Sequence, residues 1–188
     1  MNKTKRKIFE TSMKLFAEKG YDATSVEEIT SIVGVAKGTL YYHFSSKEEI
    51  FNFLISEGMK LLKNSISIKT EKQNNSIDKL KAVVLIEIKI IRKYENFMQI
   101  VFSEMWGNSS RSTTCRKYVD EYLEIVKSII KEGIEKKEII DIDENITATE
   151  TLSIACTCLY YKKTAEIDIE KMYRTIEKNF ITPLRLNK

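Results

Sequence analysis

One proline and six glycines in 188 residues leave this chain few places for a tight turn. A sheet protein needs such turns at short intervals, and glycine and proline are what make them. The scarcity therefore points to long helices with few breaks. Apolar residues agree: they recur at helical spacing along nearly the whole chain, as with Phe9, Met13 and Phe16 at i, i+4, i+7. A hydrophobic fraction of 43% and a charged fraction of 31% suit a globular protein with a core. No apolar run approaches the roughly 18 residues needed to cross a membrane. Residues 1–7 lead into an amphipathic pattern and not into an apolar leader. The three cysteines, Cys115, Cys156 and Cys158, are an odd count that fits a reducing compartment. The expectation is an all-α cytoplasmic protein.

The breaks divide the chain unevenly. Gly20 ends a first helix, with a left-handed glycine expected there and Tyr21 placed to pack back on Phe16. Thr24 with Glu27 three residues on reads as a capping box that opens a second helix. Gly34 stops that helix early, and Val35 and Ala36 cross to a third, Lys37–Phe44. Ser46 with Glu49 is a second capping box and opens a fourth helix running to about Lys69. Beyond it the spacing predicts helices over Ile77–Lys93, Glu95–Trp106, 115–137, Ile146–Lys163 and Asp168–Phe180. The segment 107–114 (GNSSRSTT) is the most loop-like of all. Short helices thus precede residue 48 and long ones follow, which suggests a domain at 1–47 and another at 48–188.

The third helix carries the chemistry. Two short helices separated by a glycine-containing turn form a helix-turn-helix candidate, whose second helix enters the DNA major groove. The stretch Ala36-Lys-Gly-Thr-Leu-Tyr-Tyr-His-Phe44 divides in the way that role requires. Leu40 and Phe44, at i and i+4, face inward, and Lys37 and Tyr41, also at i and i+4, share the outward face. Lys37 can donate to guanine O6 or N7, and Tyr41 offers a hydroxyl and an apolar ring for a thymine methyl. Gly38 lets backbone and DNA approach closely. Thr39, Tyr42 and His43 can donate to phosphate oxygens. Lys47 stands at the first turn of the fourth helix, where a cation is unfavourable unless an anion binds there too. Each of these residues alone could be a solvated or packed side chain; the argument lies in their joint placement. Lys3, Lys5, Arg6 and Lys7 add a basic N-terminal segment to a chain of net charge +4.

The segment Phe9–Leu54 resembles the N-terminal domain of the TetR family of bacterial repressors. The resemblance rests on Leu15-Phe16-Ala17-Glu18-Lys19-Gly20-Tyr21, on Thr24-Ser25-Val26 with Ile29, on the run from Gly34 to Phe44, and on Ser46-Lys47-Glu48-Glu49-Ile50. It implies an all-helical protein of about nine helices, with a C-terminal domain that dimerises and holds an inducer pocket. It implies that Lys37, Gly38 and Tyr41 face bases, and that Ser25, Thr39, Tyr42, His43 and Lys47 face phosphates. Glu27 departs from the resemblance, standing where many relatives carry an arginine or another polar residue. The expected partner is a palindromic operator, bound by a homodimer and released by a small molecule. An activator, or a regulator that answers a protein, fits the sequence equally well.

The second half resembles the family only loosely, through Glu132–Ile139 and Asp141 at the end of the seventh helix. Phe97, Met98, Phe102, Met105 and Trp106, followed by Tyr118 and Tyr122, suggest a pocket for an apolar or aromatic effector. Ala148, Leu152, Ala155 and Leu159 are the candidate dimer contacts on the eighth helix, the alanines being small enough for close approach. Cys156 and Cys158, at i and i+2 on a helix, point apart and cannot chelate one ion. The only histidine is His43, and no phosphate loop or metal motif appears, so neither catalysis nor a cofactor is expected.

Overall fold

The computed structural model describes residues 1–186, and among them every extended element is helical. The helices are α1 (Lys3–Lys19), α2 (Val26–Val33), α3 (Lys37–His43), α4 (Lys47–Thr70), α5 (Ser76–Lys93), α6 (Glu95–Glu104), α7 (Ser110–Glu135), α8 (Glu144–Thr164) and α9 (Ile169–Ile176). A π-helical turn, Glu177–Ile181, and a final turn, α10 (Thr182–Leu184), follow α9. The chain packs as two compact units. One comprises residues 1–58 with 96–118, the other residues 59–95 with those from 119 onward.

The core of the first unit follows from the spacing of its apolar residues. Ile8, Leu15 and Phe16 of α1, Ile29 of α2 and Leu40 of α3 are buried with Phe44 and with Ile50, Phe51 and Leu54 of α4. Burial of each such side chain contributes about 1.5–3 kcal/mol. The rings meet edge-on or tilted: Phe9 and Phe44 lie 5.6 Å from Phe53, and Tyr21 lies 5.5 Å from Phe51. Tyr21 also packs on Phe16 at 5.2 Å, as the sequence predicts. Gly20 does have positive φ, but its ψ of 161° is extended, not left-handed helical.

In the second unit α5 is buried on most of its circumference, with Leu80, Val83, Val84, Ile88 and Ile91 wholly enclosed, and it packs against α8 and α9. The C-terminal strip is pinned across residues 138–140: Ile140 N–H donates to Leu184 O at 2.9 Å and Leu186 N–H to Glu138 O at 3.0 Å.

Two stretches differ from the sequence expectation. Helix α7 begins at Ser110, five residues before the expected start, because the Ser109 hydroxyl accepts from Ser112 N–H at 3.1 Å and caps it. Serine-rich composition there encodes a helix cap. At the other end, the expected helix 168–180 widens into the π turn. One extra residue rotates the following face by about 100°, and Ile181 is fully buried there.

Candidate nucleic-acid interface

Helices α2 and α3 are joined by Gly34, whose φ of 77° and ψ of 40° lie in the left-handed region that a Cβ disfavours. The N–H groups of Gly34 and Val35 both donate to Thr30 O, at 2.9 and 3.1 Å, which closes α2 and turns the chain into α3. The start of α2 differs from the expected capping box. Ser25 is the N-cap, accepting from Glu28 N–H at 3.1 Å, while the Thr24 hydroxyl donates back to Gly20 O at 2.8 Å. Glu27 therefore does not pair with Thr24; its carboxylate accepts from its own backbone N–H and from Lys37. The Ser46 box is present in modified form: Ser46 Oγ accepts from Glu49 N–H, and the Glu49 carboxylate accepts from Ser45 N–H, not from Ser46.

Helix α3 is fixed from one side. Leu40 and Phe44 are buried at 0% and 1% exposure, and the Phe44 ring has the Lys5 ammonium 4.6 Å from its centroid. The other side stands open. Lys37, Gly38, Tyr41 and Tyr42 are exposed, the last at 84%, and Thr39 and His43 are half-buried on its flanks. A Cβ built on Gly38 would meet no atom within 4 Å. The six α3 residues singled out from the sequence therefore share one helix, and Ser25 lies at the exposed start of α2. Its hydroxyl proton stays available to an acceptor.

Two ionic arrangements lie beyond what local spacing reveals. First, the Lys37 ammonium donates to Glu27 Oε1 at 2.5 Å, across the turn between α2 and α3. That hydrogen bond holds the Glu27 carboxyl below its ordinary range and the Lys37 ammonium above its own. Second, Lys47 turns inward. Its ammonium donates to Tyr21 O at 2.8 Å and Thr24 O at 2.7 Å and lies 4.1 Å from the Tyr21 ring centroid. Burial lowers its pKa. The unfavourable position of a cation at the start of α4 is thus answered by backbone carbonyls of the α1–α2 turn. We expect Lys47→Ala to lower the thermal midpoint, through loss of about 1 kcal/mol of charge-assisted hydrogen bonding. The same variant should change the salt dependence of DNA binding by at most about one phosphate contact. A thermal melt and a salt titration on the same preparation separate the two effects. An unchanged melting curve would refute the bracing role.

The same turn is also held by Arg111, which local spacing does not reveal. Its guanidinium stacks 3.9 Å over the Tyr21 ring and donates to both Asp22 carboxylate oxygens at 3.2 Å. Lys47 and Arg111 therefore both lie against the Tyr21 ring.

The pocket candidates divide between the two units. Phe97 and Met98 are buried and Phe102, Met105 and Tyr118 half-buried, all in the first unit, while Trp106 stands 80% exposed on the surface. Tyr122 belongs to the second unit and is fully buried, its hydroxyl donating to Glu87 and lying 3.1 Å from Thr151 Oγ1. The second Glu87 oxygen, Oε2, is buried without a hydrogen-bond partner, and burial raises this carboxyl to about 8. An apolar cleft of about 240 Å³ in the second unit is lined by Thr157, Cys158 and Tyr161 of α8 and Met172, Thr175 and Ile176 of α9. None of the expected pocket residues lines it.

The dimer candidates are also redirected. Ala148, Ala155 and Leu159 are buried inside the single chain, at 1%, 2% and 8%, and Leu152 is half-buried. The close approach that small residues permit involves α5 of the same chain, which packs on α8. The opposite stripe of α8, with Ile146, Ser153, Cys156 and Tyr160, is exposed. No helix among the described residues is long and apolar enough to cross a membrane.

Comparison with known proteins places this geometry. The family model for bacterial regulatory proteins of the tetR family matches residues 8–53, from within α1 to the first part of α4. The Staphylococcus aureus negative transcriptional regulator IcaR of the biofilm operon icaADBC is 34% identical over 130 residues, covering 62% of this chain and 70% of IcaR. A solved Clostridium perfringens regulator, provisionally assigned to fatty acid metabolism, is 32% identical with a TM-score of 0.88, covering 96% of this chain and all of that one. Bacillus subtilis FadR, solved with stearoyl-CoA, has the same fold at 20% identity and a TM-score of 0.82, covering 96% of this chain and 99% of its own. With its helix-turn-helix, its all-helical build and relatives that match along most of their length, the chain belongs to the TetR family of bacterial regulatory proteins.

Proposed function

We propose that the protein acts in the cytoplasm as a homodimer that holds a palindromic operator through two copies of α3 and leaves it when a small, mainly apolar effector binds. The observation that carries the reading is the division of α3: Leu40 and Phe44 are buried while Lys37, Gly38, Tyr41 and Tyr42 stand open. A surface with two tyrosines and a lysine on one exposed turn suits base edges and phosphates together. Lys37, Gly38 and Tyr41 face bases in this reading. Ser25, Thr39, Tyr42 and His43 face phosphates, and Lys47 has one remaining N–H to offer.

Residues 1–47 then form the DNA-binding domain and 48–188 the effector-binding and dimerisation domain. The exposed α8 stripe, with Ile146 at 64% and Tyr160 at 73%, is the surface a second copy would cover. The description of the Clostridium perfringens relative supports an apolar effector. Helix α4 is continuous from Lys47 to Thr70, so a shift of its C-terminal half is passed along the helix to the domain that holds α3. Two copies of α3 about 34–36 Å apart would fit successive major grooves, and a change in that distance would release the DNA. The effector then acts by binding the DNA-free form more tightly.

Selection from a pool of random duplexes tests the reading. A palindromic consensus is the expected result, and no enrichment at low or moderate salt would overturn it. Lys37→Ala and Tyr41→Ala should each relax the base preference at particular positions by about 1–3 kcal/mol, measured by competition with single-base variants of the selected duplex. A uniform loss across all sequences would place these side chains on phosphate instead.

A further inference from the structure

We propose that Glu27 is a specificity-determining residue, which holds the Lys37 ammonium in a pair that can reach a base edge and keeps it from phosphate. The inference rests on the reading of α3 as the DNA-facing helix. Its structural basis is the ion pair itself. Lys37 Nζ and Glu27 Oε1 are 2.5 Å apart, with the two side chains 53% and 66% exposed on the side of the motif that faces away from its core. Helix α2, whose buried residues are Ile29 and Thr30, is packed against α1 and α3, so Glu27 projects from a rigid base.

An exposed lysine is a compact charge on a flexible stem, and by default it neutralises any phosphate within reach, whatever the sequence. The pair changes that in three ways. It holds the ammonium near one position, which reduces the entropy lost on making a base contact. It occupies one N–H and leaves two, which suits guanine O6 and N7 together. It also brings a carboxylate to the DNA-facing side, where any register that puts a phosphate beside Glu27 is penalised. The pair carries no net charge and therefore adds little to non-specific attraction. The Lys37 hydrogen bond and its own backbone N–H lower Glu27, and Glu27 raises Lys37, so both stay charged around neutral pH. The charged neighbours within α2 do not compete for Lys37: Glu28 is engaged by Lys19.

The experiment uses the full chain and synthetic duplexes. Wild type, Glu27→Ala, Lys37→Ala and the double variant are each taken through random-duplex selection. Binding of the selected duplex and of a scrambled one is then titrated across salt. Glu27→Ala should bind the scrambled duplex more tightly, because a free ammonium is gained and a repelling carboxylate lost. Its salt dependence should steepen by about one phosphate contact. Discrimination between selected and scrambled duplex should fall by about tenfold, within the range for one good base contact. In the Lys37→Ala background, Glu27→Ala should still tighten binding of the scrambled duplex slightly, because a repelling carboxylate is lost, but it should alter the selected consensus no further, since base preference acts through Lys37. Because both side chains are exposed, thermal midpoints should stay within a few degrees, and Glu27→Gln, which can still hold Lys37, should retain part of the preference. An unchanged consensus and unchanged discrimination in Glu27→Ala would overturn the inference while leaving the reading of α3 intact. So would an equal loss in the Lys37→Ala background. Absence of any consensus from the wild type would overturn both.

Discussion

Replacing Glu87 with glutamine should stabilise the protein by about 3 kcal/mol at pH 7 and by less than about 1 kcal/mol at pH 5. Glu87 stands on α5, enclosed at 4% exposure, with Tyr122 of α7 donating to one oxygen and no partner on the other. Burial raises its pKa from the ordinary 4.5 to about 8, against the smaller downward pull of the Tyr122 hydrogen bond. Below pH 4.5 the carboxyl is neutral in both the folded and the unfolded chain, and the site costs nothing by ionisation. As the pH rises, the unfolded chain ionises while the folded one stays neutral. Stability therefore falls by about 1.4 kcal/mol per pH unit until the folded group also ionises near 8. Glutamine keeps the oxygen that accepts from Tyr122 and removes the titration. The other ionisable groups against Glu87 do not share it: Tyr122 is raised well above its ordinary value and Cys158 is raised to about 12, both mainly by burial. Parallel thermal melts of the two proteins from pH 5 to 8 should diverge by about 6–12 °C at pH 7. Curves that stay parallel would mean that Glu87 ionises like a surface carboxylate.

What made the motif legible in sequence was its local periodicity. Leu40 and Phe44 at i and i+4 set the buried strip of α3, and Lys37 and Tyr41 lie on the exposed strip beside it, without reference to anything distant. The same reasoning placed the turn at Gly34, because only a residue tolerant of positive φ serves there. It failed where the deciding partner was remote in the chain. Lys47 is satisfied by the carbonyls of Tyr21 and Thr24, 26 and 23 residues away. Arg111 reaches Asp22 across 89 residues. Side-chain chemistry identified a cation at a helix start but not what neutralises it. The second half shows the same limit. Small residues at 148 and 155 correctly signal a close helix approach, yet nothing in their spacing says whether the approaching helix is α5 of the same chain or α8 of another. Aromatic and methionine residues on α6 signal apolar surroundings, while Trp106 on the surface shows that composition alone does not distinguish lining from exterior.

Gly58→Ala is expected to destabilise the first unit by about 3 kcal/mol, at the upper end of what overpacking usually costs. On an exposed helix face the same change would be favourable by about 1 kcal/mol, because alanine loses less backbone entropy. Here the added Cβ would lie 2.2 Å from Phe97 Cε2 and 2.4 Å from Phe97 Cζ. The ring is buried at 4% on α6, so it has little room to rotate away. Steric overlap therefore outweighs helix propensity, and α4 and α6 must separate locally or Phe97 must leave its rotamer. Phe97→Leu alone should cost about 1–2 kcal/mol for the lost ring, but combined with Gly58→Ala it should recover most of the stability, a strongly non-additive result. Thermal melts of the four proteins measure that coupling. Strict additivity would show that the ring yields without cost. The same four proteins probe the transmission proposed for α4. Gly58 lies eleven residues beyond the start of the helix at Lys47. A displacement forced there should weaken retention of the selected duplex in Gly58→Ala and restore it in the double variant. If stability recovers and DNA retention does not, the position of α4 is not what couples the effector domain to α3.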